Sequence, residues 1–254
     1  MKNQSLSACR MGVAAGLFCL SAFAAAADEP PLPKLGPDAV PVTQDNGFLR
    51  STPAPDYWAF APFVKPQFTT SACSVAAVTA AVNGLKGLPP LAEETVTTQP
   101  EMLDLVGDAD WAALSAEGGD GVRFDQLVAY STAALKAAGL EGATVEVFKP
   151  ADDSADTLAA LRAQLAANEA GAEDALLLYF NQGVVTGDWD GPHVSLIGAY
   201  DAAQDRVLIL EVDQEWYIPY WTPVETLLAA MLKPTSEEHG VLEGETGGLV
   251  HLAR

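Results

Sequence analysis

The sequence predicts an α+β fold, and three observations predict it. Apolar residues recur at helical spacing in several segments, and other segments are short apolar runs of strand length. The last two such runs are separated only by residues 201–205, which is too short a link for a crossover helix and suits antiparallel neighbours. We therefore expect helices packed on an antiparallel sheet around a single core.

Four helices and four strands are predicted. Val75, Val78, Val82 and Leu85 share one helical face, and Gly87 ends that helix. Ser154 is expected to cap a later one. The helices are predicted over residues 73–86, 123–138, 154–168 and 223–232, and the strands over 144–148, 175–180, 193–200 and 206–213. No element is predicted after residue 233, where glycine and glutamate dominate.

The N-terminus predicts export. Lys2 and Arg10 precede and flank an apolar run that is too short to span a bilayer, and small residues up to Ala27 form a cleavage pattern. We expect residues 1–27 to be a signal peptide, residues 28–56 a proline-rich extended segment, and residues 57–254 the main domain. The protein would then be secreted, to the periplasm if bacterial, with no membrane association once the leader is removed.

The charge excludes one class of partner. The chain has 13 basic and 34 acidic residues; without the leader the 13 fall to 11, so the formal net charge of −21 becomes −23. Nucleic-acid sites need clustered Lys and Arg, so neither DNA nor RNA is an expected partner. The acidic surface is most simply explained by solubility.

Cysteine usage points to one residue. Of the three cysteines, Cys9 and Cys19 lie in the leader, which leaves Cys73 as a lone thiol in an exported chain. A buried structural role and a chemical role are both compatible with that count. Cys73 begins a predicted helix, where free N–H groups and the helix dipole favour a thiolate. Thr69, Thr70 and Ser71 are candidate caps.

A thiol nucleophile needs a base and an oxyanion site. Gln67, six residues upstream, could donate a second hydrogen bond to an oxyanion beside the N–H of Cys73. His193 begins a predicted strand and is the candidate base, and the acid that orients it should come from the next strand. If the intervening loop centres on Ala203, His193 lies opposite Asp213, with Glu211 as the diagonal neighbour. The residues alone leave these two acids tied.

A metal site is the other use of the same side chains. Cys73, His193, Glu211 and Asp213 could in principle bind a cation, but CxxC, HxH and HExxH spacings are absent from the sequence. We therefore expect no resident metal. A glycine-rich phosphate loop is also absent, so a nucleotide cofactor is not implied.

Three segments resemble the catalytic domain of phytochelatin synthases, which are papain-like enzymes. Residues 67–73 match the glutamine–cysteine segment of that family, and residues 191–200 match its histidine strand. Residues 208–212, followed by Tyr217, Pro219 and Trp221, match the segment after it. Ala76 and residues 83–85 are similar to the helix in between. The likeness spans about residues 60 to 232.

The resemblance implies a papain-like fold, with the nucleophile at the N-terminus of a central helix packed on an antiparallel sheet. It implies a Cys73–His193–acid triad with Gln67 in the oxyanion hole, and it places the acid at Glu211, where the family has Asp. Asp213 is the reserve. The implied partner is a small thiol peptide such as glutathione. No cofactor is implied, although divalent metals or metal–thiolate substrates could modulate activity.

The chain departs from the family in its basic residues. Gln214 and Trp216 stand where the family carries Arg and Lys, and Lys233 is the only base between Arg206 and Arg254. A bidentate clamp for a substrate carboxylate is thus missing from its expected place. Two alternatives to glutathione processing stay open: a peptidase for other short peptides, and a non-catalytic protein that binds thiol peptides or metal thiolates. A homodimer is compatible with the sequence.

Overall fold

The computed structural model describes residues 33–254, and the predicted signal peptide lies outside them. The helices within this range are α1 (Gly47–Ser51), α2 (Pro55–Phe60), α3 (Cys73–Lys86), α4 (Gln99–Val106), α5 (Ala109–Leu114), α6 (Phe124–Ala137), α7 (Ala155–Asn168), α8 (Gln182–Thr186) and α9 (Val224–Leu232). The strands are β1 (Val40–Pro41), β2 (Thr144–Phe148), β3 (Asp174–Asn181), β4 (Pro192–Asp201), β5 (Arg206–Leu210), β6 (Tyr220–Pro223) and β7 (Gly248–Ala253).

These seven strands form one antiparallel sheet in the order β1-β6-β5-β4-β3-β7-β2. The α+β prediction is confirmed, and the predicted helices agree with α3, α6, α7 and α9 to within a residue at each end. Ser154 caps α7 by accepting a hydrogen bond from the N–H of Thr157. Strand β7 was not predicted: it lies in the glycine-rich tail and inserts between β3 and β2.

The sheet divides the interior into two apolar regions, where the sequence predicted one core. Alternate residues of β3 point to opposite faces, so Leu177 packs with α3 and α6 while Leu176 and Leu178 pack with α7 and α9. Helix α3 is buried along most of its length against the first face. This burial fixes the position of Cys73 at its N-terminus relative to the sheet.

A bulge sets the register of the β4–β5 hairpin. Asp201 lies opposite Arg206, as a loop centred between Ala203 and Gln204 requires, but beyond Gly198 the pairing shifts by one and Ile197 lies opposite Ile209. Gly198 is the extra residue of this bulge. The shifted register is the one that a loop centred on Ala203 predicts, and it carries His193 toward the residues that follow Leu210.

The proline-rich segment is described from residue 33 onward. It holds β1, which pairs with β6 at the edge of the sheet, and helix α1, so it is not extended throughout. We call residues 33–46 the strap. Among the described residues, no helix combines the length and apolar character needed to cross a bilayer.

Replacing Gly198 by alanine should destabilise the fold. A Cβ there would approach the Leu210 Cγ to 2.4 Å, inside a buried hairpin. We expect Gly198→Ala to lower the free energy of unfolding by about 1–3 kcal/mol, measured by urea denaturation. Gly142→Ala is the matched control, because a Cβ at Gly142 meets no atom within 4 Å. Equal midpoints for the two variants would contradict the overpacking argument.

Candidate active site

Helix α3 begins at Cys73, so the thiol lies at the end of the helix where backbone N–H groups lack intrahelical acceptors. Cys73 is partly buried, and it lines a cleft of about 660 Å³ together with His193 and Gln67. The structure thus brings together in one cleft a sulfur and an imidazole that lie 120 positions apart in the chain.

The loop before Cys73 is held by a neighbouring loop, and the predicted caps are wrong. The N-cap position of α3 is Ala72, with no side-chain cap. The hydroxyls of Thr69 and Ser71 instead donate to the carbonyls of Ser115 and Gly119, both at 2.6 Å. The hydroxyl of Thr70 donates to Glu117 Oε1 at 2.7 Å. These polar residues fix the loop across the cleft entrance, which explains why the sequence places three hydroxyls side by side.

His193 is paired with Glu211. Its Nε2 lies 2.7 Å from Glu211 Oε1, and both side chains are buried. Because Nε2 is engaged there, Nδ1 is the ring nitrogen left for the thiol. Burial lowers the pKa of His193, but the charge of Glu211, hydrogen bonds with Cys73 and Glu211, and the charge at Cys73 outweigh it and hold this pKa well above its ordinary value.

Glu211 is fully buried and surrounded by donors. Beyond His193, its Oε1 accepts from the N–H of Asp213 at 2.7 Å and from the Ser195 hydroxyl at 3.3 Å. Its Oε2 accepts from Gln182 at 3.0 Å and from the Tyr220 hydroxyl at 3.1 Å. Burial raises the pKa of Glu211, yet His193 and these hydrogen bonds reverse the effect and lower it overall.

Asp213 takes a different place. Its backbone N–H contacts Glu211, while its side chain lines the cleft. Burial raises the pKa of Asp213, and the nearby charge of His193 only partly opposes this. The two acids thus take different positions: Glu211 is the carboxylate that contacts the imidazole, and Asp213 lines the cleft.

Gln67 lines the same cleft as Cys73. Its Nε2 donates to the Thr70 carbonyl at 3.2 Å, which uses one of its two N–H bonds. Its backbone N–H donates to the carbonyl of Val212, the residue after Glu211, at 2.8 Å. This hydrogen bond joins the loop before Cys73 to the segment that carries Glu211.

Several residues of the cleft were missed in the sequence because they carry no recognisable motif. The tail contributes His239 and Leu242, and Arg123 anchors it by donating to the carbonyl of Val241 at 2.6 Å. The strap contributes Lys34. The loop before β4 contributes Trp189, whose ring packs edge-on against His239. These residues come together only because the strap and the C-terminal tail fold back against the cleft.

The described residues hold no group of three or more His, Cys, Asp or Glu side chains that could bind a metal ion. In this part of the chain, both carboxylate oxygens of Glu211 accept hydrogen bonds from protein donors.

Comparison with protein families identifies a match. The family model described as phytochelatin synthase covers residues 42–240, which is most of the chain. The papain-like fold expected from the sequence follows from that match and from the mixed helix and antiparallel sheet. No curated protein matches the chain.

Removing the charge of Glu211 should release His193. We expect Glu211→Gln to lower the pKa of the His193 imidazole, because burial then acts without the opposing carboxylate. The measurement is an NMR titration of the imidazole signals. Asp174→Asn, which breaks the other described His–acid pair at His251, is the control and should leave the His193 titration unmoved. An unchanged His193 pKa in Glu211→Gln would show that Glu211 does not stabilise the imidazolium.

Proposed function

This chain belongs to the phytochelatin synthase family, and we propose that it is a cysteine-dependent enzyme acting on glutathione or a related γ-glutamyl peptide. One observation supports the proposal above all others. The array consists of the Cys73 thiol and the His193 imidazole, which line a cleft large enough for a tripeptide, and of the buried Glu211 carboxylate, which pairs with His193. That array is the arrangement that nucleophilic catalysis by a thiol requires.

In the proposed first half-reaction, His193 takes the proton of Cys73 and the sulfur attacks the carbonyl carbon of the Cys–Gly bond. Glu211 stabilises the resulting imidazolium and keeps Nδ1 directed at the sulfur. The imidazolium then gives its proton to the departing amine, the C–N bond breaks, and glycine leaves. A γ-glutamylcysteinyl thioester remains on Cys73.

The negative oxygen formed during attack needs donors in fixed positions. The backbone N–H of Cys73 and the unused N–H of Gln67 are the two that the cleft offers. Because the hydrogen bonds of Thr69, Thr70 and Ser71 to the neighbouring loop fix this segment, both donors need no reorganisation during the reaction.

The thioester can pass to water or to the amine of a second thiol peptide. We propose hydrolysis as the main outcome. Processing of other short peptides shares the same first half-reaction. We further propose that the enzyme works outside the cytoplasm, as its predicted leader indicates.

The first test follows glycine release. Purified protein mixed with glutathione should release glycine and form γ-glutamylcysteine, and Cys73→Ser should reduce the rate to that of buffer, because an alcohol is a far weaker nucleophile in this setting. Mass spectrometry should detect the acyl-enzyme on Cys73 during turnover. Absence of glycine release by the natural chain, or equal release by Cys73→Ser, would refute the proposed activity.

A second test addresses Gln67. We expect Gln67→Ala to lower kcat by about 10²–10³-fold, the usual cost of losing one oxyanion donor, with a smaller change in KM. Alkylation of Cys73 by iodoacetamide should proceed at the natural rate, because that reaction forms no oxyanion. The exposed Gln44→Ala is the control. If alkylation slows as much as turnover, Gln67 acts by supporting the loop instead.

A further inference from the structure

The cleft around Cys73 is lined by carboxylates on both walls. Glu117 and Asp120 lie on the wall formed by the loop after α5, while Asp188, Asp213 and Glu215 come from the opposite side. Among the described residues that line the cleft, Lys34 is the sole Lys or Arg. A bound ligand therefore meets a strongly negative surface, although the reference substrate glutathione is itself an anion.

The position of His193 relates these charges to the reaction. The imidazole must stand beside the amine that it protonates, so the departing half of the substrate lies on the His193 side. Asp213 is on that side, because its backbone N–H donates to the same Glu211 oxygen that pairs with His193, and it lines the cleft. Glu215, Trp216 and Tyr217 follow in the same loop. The departing group is therefore the part of the substrate that faces this carboxylate.

An ammonium group already occupies this wall. Lys34 Nζ lies 4.6 Å from the ring centres of both Trp216 and Tyr217, and 3.7 Å from Asp188 Oδ2. Two aromatic faces and a carboxylate form the kind of surface that recognises organic cations. Lys34 marks where the cleft accepts a positive charge, and its contacts with the two aromatic rings add to the argument from the acids.

We propose that this cleft selects γ-glutamylcysteinyl compounds whose departing group is a cationic amine, in preference to the glycine carboxylate of glutathione. The inference rests on the proposed function for the site of cleavage. It also accounts for the basic residues that the chain lacks: a clamp for a carboxylate has no role where the departing group carries an ammonium.

Charged thiol reagents test the field at Cys73 without relying on turnover. A methanethiosulfonate transfers its alkylthio group to the Cys73 thiolate, which forms a disulfide and expels methanesulfinate. We expect the trimethylammonium-ethyl reagent to react at least about tenfold faster than the sulfonatoethyl reagent, after normalisation to a small free thiol. The ratio should fall when the salt concentration is raised from about 20 mM to about 500 mM, because the Debye length then shortens roughly fivefold.

Variants identify the source of that ratio. Asp213→Asn and Glu215→Gln should each reduce it, whereas Asp153→Asn, an exposed acid outside the cleft, should leave it unchanged. Lys34→Met should raise it, because the site then loses its own cation. A normalised ratio near one, or a faster anionic reagent, would overturn the inference whether or not the protein is an enzyme.

A substrate series separates this inference from the proposed function. The three probes are glutathione, its glycinamide analogue and the γ-glutamylcysteinyl amide of a diamine. We expect kcat/KM to rise in that order, and the rise to shrink in Asp213→Asn. If glutathione is cleaved as fast as the diamine amide, the charge preference is contradicted and the proposed activity stands. If none of the three substrates is cleaved while the cationic reagent still reacts faster than the anionic one, the proposed activity is contradicted and the cleft is cation-selective.

Discussion

The pairing of His193 with a carboxylate that has no exposed surface is the constraint on which the rest of the site depends. A buried charge is tolerated only when it is paired and fully hydrogen-bonded. Glu211 satisfies that demand with donors from four different elements or loops: β4, α8, β6 and the backbone just after itself. The strands β4 and β6 of the sheet and the short helix α8 must therefore all be in place for the imidazole to be oriented.

Asp56 provides an internal comparison, because it is a second carboxyl without exposed surface and its pKa moves in the opposite direction. Burial, reinforced by the charges of Glu169 and Asp174, raises the pKa of Asp56 to about 9. Asn168 is its one described side-chain donor. Asp56 is thus protonated at neutral pH. Since folding binds this proton, its contribution to stability is full below the ordinary carboxyl pKa and is lost as pH rises toward 9. Burial does not decide ionisation; the supply of donors does.

The helices and the candidate nucleophile could be predicted from the sequence, because both depend on residues that are close together in the chain. The spacing of Val75, Val78 and Val82 predicts α3, and a lone cysteine at its start predicts the nucleophile. The choice between Glu211 and Asp213 could not be made locally, since the buried donors that hold Glu211 against His193 include Gln182 and Tyr220, which belong to other elements. The family resemblance indicated Glu211, and the hydrogen bonds of the folded chain give the physical reason.

The other errors have a similar origin. Thr69, Thr70 and Ser71 carry the residue types of a helix cap, but the loop at residues 115–119 competes for their hydroxyls. Strand β7 has weak local character, with two glycines before it, and it forms because β3 and β2 offer it hydrogen bonds on both sides. Signals that depend on a partner distant in the chain are absent from a short window of sequence.

The proposed catalytic residues and the charged walls of the cleft lie in different parts of this molecule. Cys73 begins α3, His193 lies in β4 and Glu211 directly follows β5, and these elements are held by the two apolar regions on the faces of the sheet. The charged walls of the cleft belong to loops, to the strap and to the tail, whose side chains are partly exposed and contribute little to the core. Substitutions in those loops change the charge of the cleft at small cost in folding free energy. The acyl-transfer site that we propose can therefore stay unchanged while substitutions in these loops change the charge of the departing group that the cleft accepts.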